Sequence, residues 1–163
     1  MSGLHIGFIG GGNITQTHAR AAASIPELHI AAFFGSNTDK NAKLAAEFGA
    51  TVYSDLDKFL AHRPMDVVAI GSPSGLHAEH GIACARRGLH VLTEKPIDIS
   101  LERADALIQA ADQAGVRLGV FFQDRFKPEV RRLKQLVENG KLGRLILVDG
   151  RVKWYRAPEY YAG

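Results

Sequence analysis

Cysteine is almost missing from this chain: Cys84 is the only one among 163 residues. A disulfide framework is therefore excluded, and a cysteine-based zinc site is not expected. Long apolar runs are missing too, since none approaches the roughly 20 residues that a membrane-spanning helix needs. The N-terminus has neither the basic start nor the small-residue cleavage site of a signal peptide. Charge of one sign is also in short supply. Twenty Lys and Arg against 17 Asp and Glu give a formal charge of +3, and the basic residues are scattered rather than striped. No nucleic-acid footprint follows, only a mild preference for anionic ligands. Repeats and low-complexity linkers are absent. These absences leave a reducing, cytoplasmic setting as the expectation, with neither membrane nor nucleic acid as a partner.

What is present is a regular alternation of short apolar runs and helical patterns. Leu4–Ile9 reads as a strand that stops at Gly10, Gly11 and Gly12, and an alanine-rich helix follows from Ile14 to Ser24. Leu28–Phe34 is the second strand, and Asn37 or Thr38 can cap a helix that ends at Gly49. Thr51–Tyr53 is a third strand. Ser54, with Asp57 three residues on, resembles a capping box for the next helix. Strands at 66–70, 90–93 and 116–122 alternate with helices at 78–87 and 101–114. Strands and helices in this rhythm predict an α/β fold, a doubly wound parallel sheet of the Rossmann type, over residues 1–126.

The last forty residues differ. Pro128 can start a helix that ends at Asn139-Gly140. From Asp149 the pattern alternates, with Val152 and Trp154 on one side and Arg151, Lys153 and Tyr155 on the other, as in an antiparallel strand with one solvated face. Residues 127–163 are therefore expected to open a second, α+β domain whose remainder is missing.

The main chemical signal is the glycine turn between the first strand and first helix. Gly10 permits a tight turn and Gly12 a close backbone approach to a pyrophosphate. The N–H groups at Asn13 and Ile14 add the positive end of the helix dipole. The third position of this pattern is usually Gly or Ala, and Thr15 departs from it. The second strand normally ends at an acid that bonds the ribose 2′-hydroxyl of NAD, whereas Gly35 stands there. Ser36 and Asn37 can donate hydrogen bonds to a 2′-phosphate and Lys40 can add charge, so NADP is expected over NAD. The missing acid also argues against an S-adenosylmethionine methyltransferase.

Two further loops lie where an open parallel sheet binds ligands, beyond the carboxyl ends of its strands. Ser72-Pro73-Ser74-Gly75-Leu76-His77 follows the fourth strand and Thr93-Glu94-Lys95-Pro96 the fifth. A lysine there can orient a hydroxyl or carbonyl and move its proton while hydride passes to a nicotinamide. The Lys95–Pro96 bond is a candidate for the cis form. His77 and His80, three apart, have no third ligand at suitable spacing, so no metal site is expected. Cys84 reads as a packing residue.

The glycine turn, the Ser-Pro-x-x-x-His loop, Glu94-Lys95-Pro96 and Arg125-Phe126-Lys127-Pro128 occur in this order and together resemble the glucose–fructose oxidoreductase, inositol dehydrogenase and MocA family (Gfo/Idh/MocA). The resemblance runs from about Ile6 to the end of the chain. It implies a two-domain NAD(P)-dependent oxidoreductase acting on a sugar, cyclitol or related compound, and a homo-oligomer. It implies that Lys95 is catalytic or orients substrate, that Glu94 holds the cofactor side of the pocket, that His77 lies near the nicotinamide, and that Arg125 belongs to the cofactor site. Family members run past three hundred residues, and their second domain completes the site. The expectation for these 163 residues is therefore cofactor binding without useful turnover. The alternative is a non-catalytic dinucleotide-binding or assembly module.

Overall fold

A computed structural model of the chain describes residues 3–161. It divides into two compact units, Met1–Phe122 and Gln123–Gly163. Among the described residues, the first unit contains six strands and five α-helices: β1 (Leu4–Ile9), α1 (Asn13–Ala23), β2 (Leu28–Phe34), α2 (Thr38–Phe48), β3 (Thr51–Tyr53), α3 (Leu56–Leu60), β4 (Val67–Ile70), α4 (His77–Arg86), β5 (His90–Thr93), α5 (Leu101–Ala114) and β6 (Leu118–Val120). The strands form one sheet in the order β3-β2-β1-β4-β5-β6, and every neighbouring pair is parallel. This is the doubly wound Rossmann arrangement that the alternation of elements predicts.

Strand residues alternate between the two faces of the sheet, and both faces are buried. Ile6 and Phe8 of β1 join Val67 and Ala69 of β4 on one face, covered by Ala19 and Ala22 of α1 and Leu44 and Ala45 of α2. Ile9, Val68 and Ile70 point the other way, against Phe59 and Leu60 of α3 and Cys84 of α4. Near-continuous apolar strands are the consequence, with no solvated face to require polar alternation. Cys84 is fully buried, and burial pushes its thiol up to about 12, so it remains an inert packing group.

Helix ends follow their local chemistry. Asn37 caps α2 by accepting the Lys40 N–H at 2.9 Å, and α2 ends at Gly49 in the left-handed conformation. Ser100 caps α5 through the Arg103 N–H. The cap of α3 is Asp55, whose Oδ1 accepts the Lys58 N–H at 2.8 Å, so the capping box expected at Ser54 is displaced by one residue. A carboxylate is the stronger acceptor at a helix N-terminus, because it also meets the dipole. Strand β6 is shorter than expected: it has one partner, β5, and its ladder spans only Leu118 to Val120.

In the second unit, Pro128 starts α6 (Pro128–Glu138) at its first turn. Lys134 and Glu138 pair one turn apart at 3.0 Å, and the Arg131 guanidinium lies over the Phe126 ring at 5.5 Å. The strand expected from Asp149 does not form. Residues 144–157 carry no regular structure, because a strand is defined by its ladder and the described residues of this unit offer no partner. Trp154 is accordingly 70% exposed, with the Arg156 guanidinium over its ring at 5.1 Å.

Candidate functional site

β1 is paired to β2 on one side and β4 on the other, so the strand order reverses there. The loops after β1 and β4 consequently diverge and leave a crevice at their carboxyl ends. The crevice is a cleft of about 730 Å³ lined by Gly10, Gly11 and Gly12 after β1, Gly35, Ser36, Asn37 and Lys40 after β2, and Gly71, Ser72 and Pro73 after β4.

The glycine turn has the geometry that an approaching phosphate needs. Gly10 adopts φ +117°, and a Cβ there would lie 2.6 Å from the Gly71 carbonyl oxygen. Gly12 is the N-cap of α1 and supplies no side-chain cap. A Cβ at Gly12 would meet nothing within 4 Å, so the backbone faces open space. Where α2, α3 and α5 each have a side chain on their first N–H groups, α1 has no such cap at Asn13 and Ile14 among the described residues. A free helix N-terminus opening on a cleft is a binding site for anions.

Thr15 replaces the small residue usual at the third position and is 1% exposed. Its hydroxyl fits because the facing positions have no side chains: a Cβ at Gly71 would lie 2.7 Å from Thr15 Oγ1. Close approach of α1 to β1 and β4 is preserved, but Thr15 Oγ1 has no hydrogen-bond partner among the described residues.

Beyond the glycine turn, the cleft is lined by Ser36, Asn37 and Lys40, and no carboxylate is among its lining residues. Asn37 Oδ1 is engaged by the Lys40 N–H, which leaves its amide N–H groups as donors. His80 and Leu76, with Ser72 after β4, and Ser54 after β3 also line the cleft. His80 Nδ1 lies 3.0 Å from Ser72 Oγ, and its ring meets Phe34 edge-on at 6.1 Å. Burial, reinforced by His77 and opposed by Glu79, holds His80 below its usual pKa. Ser54 and His80 lie in the cleft without belonging to the glycine-turn or second-strand patterns from which a cofactor site is read. The signal for Ser54 is its place immediately after β3, at the same sheet edge.

The remaining predicted residues, His77, Glu94, Lys95 and Arg125, are not among those that line the cleft. His77 is buried at 1% exposure. Its ring spans two loops, with Nδ1 2.8 Å from the Pro96 carbonyl oxygen and Nε2 2.8 Å from that of Ser72. Glu94 is also buried: Oε1 lies 2.8 Å from His18 Nε2, and Oε2 accepts the Lys95 N–H at 3.1 Å. The His18 ring stacks on Phe121 at 4.0 Å. Glu94 thus ties α1 to the backbone of Lys95, whose side chain is exposed, and the Lys95–Pro96 bond is cis. Arg125 belongs to the second unit, in the short turn Gln123–Phe126. No group of three potential metal ligands occurs among the described residues.

A parallel sheet in this order, with a glycine turn and an uncapped helix at the point where the order reverses, defines a dinucleotide-binding Rossmann domain. The chain belongs to the Gfo/Idh/MocA oxidoreductase family: the family model for its NAD-binding Rossmann fold matches residues 4–122. Among curated relatives, the rhizopine catabolism protein MocA of Rhizobium meliloti is 32% identical over 158 residues, 97% of this chain and 49% of that protein. Glucose-6-phosphate 3-dehydrogenase of Bacillus subtilis is 31% identical over 143 residues, 88% of this chain and 40% of that protein. Among solved structures, the WlbA dehydrogenase of Bordetella pertussis, in complex with NADH and UDP-GlcNAcA, superposes with a TM-score of 0.95 at 32% identity, over 98% of this chain and 46% of that one. The chain spans less than half the length of each of these relatives.

Proposed function

We propose that the chain is the cofactor-binding part of an NADP-dependent oxidoreductase that transfers hydride to or from a hydroxyl or carbonyl carbon of a sugar or cyclitol. The observation that carries this reading is the cleft at the reversal of strand order, where the free N-terminus of α1 meets a wall without carboxylates. The open backbone at Gly12 and the N–H groups of Asn13 and Ile14 fit a pyrophosphate. Ser36, the Asn37 amide and Lys40 fit a 2′-phosphate, which a carboxylate in this loop would repel. Relatives include a D-xylose 1-dehydrogenase named for NADP, from Haloferax volcanii, while the WlbA complex holds NADH.

When bound, the nicotinamide supplies or accepts the hydride. The chain's own contribution is placement. Glu94 fixes the backbone at Lys95, and His77 ties the loop after β4 to Pro96, so the lysine projects from a braced edge. Its ammonium can donate to a substrate oxygen and release the proton that a carbonyl takes up on reduction, and its neutral amine can accept the proton that a hydroxyl gives up on oxidation. Effective transfer also requires the reacting carbon to be held against the nicotinamide. The Lys95 side chain is exposed, and on this reading these 163 residues by themselves bind dinucleotide without useful turnover.

Titration of NADPH and NADH into the purified chain, followed by nicotinamide fluorescence, tests the reading. NADPH should bind at least about tenfold more tightly, roughly 1.4 kcal/mol, and Lys40→Ala should erase most of that difference. A preference for NADH would retain the oxidoreductase but overturn the role given to Ser36, Asn37 and Lys40. Binding of neither would overturn the cofactor site itself.

A further inference from the structure

The cleft's two main walls on the β1 and β2 side are separate loops, and a dinucleotide must touch both of them. One side chain joins them. Asn41, in the first turns of α2, is fully buried at 0% exposure, although its helix neighbours Asp39, Lys40 and Ala42 are not. With its amide oriented to satisfy its surroundings, Nδ2 donates to the Gly10 carbonyl oxygen at 3.2 Å and Oδ1 accepts from the Gly35 N–H at 3.1 Å. The Gly10 carbonyl can only accept and the Gly35 N–H can only donate. A single group of this size that presents one donor and one acceptor is a primary amide.

The glycines around it share this requirement. A Cβ at Gly11 would lie 2.5 Å from the Asn41 amide, and one at Gly35 would lie 2.6 Å from it and 3.3 Å from the Gly10 carbonyl carbon. The absence of an acid at the end of β2 therefore has a steric cause as well as an electrostatic one: a side chain at this position would occupy the space of the amide. Gly35 admits Asn41, and Asn41 then holds the loop after β2 to the glycine turn.

We propose that Asn41 is a positioning residue that sets the spacing between the pyrophosphate turn and the loop after β2, and so acts selectively on ligands that bridge the two. The inference rests on the cofactor reading above. It assigns Asn41 no contact with the ligand. Its effect passes through the Gly10 carbonyl and the Gly35 N–H.

Asn41→Asp is the direct test, because it keeps the shape but places an oxygen against the Gly10 carbonyl. The full chain and the variant are titrated with NADPH, with NADH and with adenosine, whose contacts lie on one side of the bridge. The expected result is a loss of at least about tenfold in affinity for the dinucleotide the unaltered chain prefers, with adenosine affinity changed less than about twofold. Equal losses for dinucleotide and adenosine would mean general damage to the fold and would overturn the proposal, as would dinucleotide affinity within about twofold of the unaltered chain. If Asn41→Asp does not fold, the unaltered chain still decides. The Gly35 amide must exchange slowly with solvent, and the Asn41 side-chain N–H groups must be protected. Free exchange at both would overturn the bridge. If the unaltered chain binds no dinucleotide, the cofactor reading fails, a result distinct from a bridge that exists but has no effect on binding.

Discussion

Thr15 shows what a single departure from the glycine pattern costs. Its methyl and hydroxyl are both enclosed, and Oγ1 lacks a partner among the described residues. An unsatisfied buried hydroxyl costs about 1–3 kcal/mol. Threonine's poorer helix propensity relative to alanine adds a few tenths of a kcal/mol to that cost, and against it the buried methyl contributes about 0.8 kcal/mol. The hydroxyl term outweighs the methyl. Thr15→Ala should therefore raise the stability of the chain by about 1 kcal/mol in denaturant unfolding, with unchanged slope. A loss of stability would show that the hydroxyl is satisfied in solution, most simply by an ordered water.

At the level of elements, the start of α4 depends on a residue from beyond β5. Its N-cap position, Leu76, offers no side-chain acceptor. Asp98 supplies one instead: Oδ2 accepts the Ala78 N–H at 2.9 Å, and Oδ1 accepts the Ile99 N–H at 2.8 Å. Arg103 completes the group at 3.0 Å. Burial pushes the Asp98 carboxyl upward, but the two backbone donors and the Arg103 guanidinium outweigh it and hold the group below its ordinary value of 3.8. Asp98→Ala leaves the buried Ala78 N–H without a partner and should cost about 2 kcal/mol. A depressed carboxyl contributes stability above its unfolded pKa and loses it as pH falls through the folded one. The gap between wild type and variant should hold through neutral pH and narrow only below about 3.8. A gap that already closes near neutrality would assign the effect to another group.

Elements and site residues were not equally legible in the sequence. β1, β2, β3 and β5 were readable to the residue, since each is a short apolar run bounded by glycine or a cap. The cleft residues of the glycine turn and of the loop after β2 were readable because backbone-lined anion sites leave their mark in glycine and helix-start chemistry. Asn41, Asp98 and His18 were not. Each acts on a partner far along the chain, such as the Glu94 carboxylate 76 residues from His18, and local pattern holds no record of such pairs. His77 shows the same limit. Its place in the motif marks it as important, yet only its contacts with the Ser72 and Pro96 carbonyls show that it joins two loops. The alternation from Asp149 misled for a related reason, because a period of two shows which faces a strand would have and not whether a partner is present.

For the whole molecule, the two units differ in what holds them. The first buries aromatic and aliphatic side chains on both faces of a six-stranded sheet, whereas no described residue from 123 to 161 is buried. Local stability follows buried apolar contact, and backbone hydrogen bonds in contact with solvent open most readily. Helix α6 illustrates this: its apolar residues Val130, Leu133 and Val137 are 39%, 55% and 42% exposed. Eleven residues are also too few for a helix to be stable by propensity alone. Amide exchange should thus be slow in β1, β4 and β5 and fast throughout α6 and the segment after it. Limited proteolysis should trim the chain to a core ending near Phe122, the boundary between the units. That core should keep the melting transition of the intact chain within a few degrees, because few of the contacts that resist unfolding lie beyond the boundary. A large drop in melting temperature after trimming would show that residues past Phe122 support the sheet. Protection in α6 comparable to that in β1 would show that its apolar face is covered in solution.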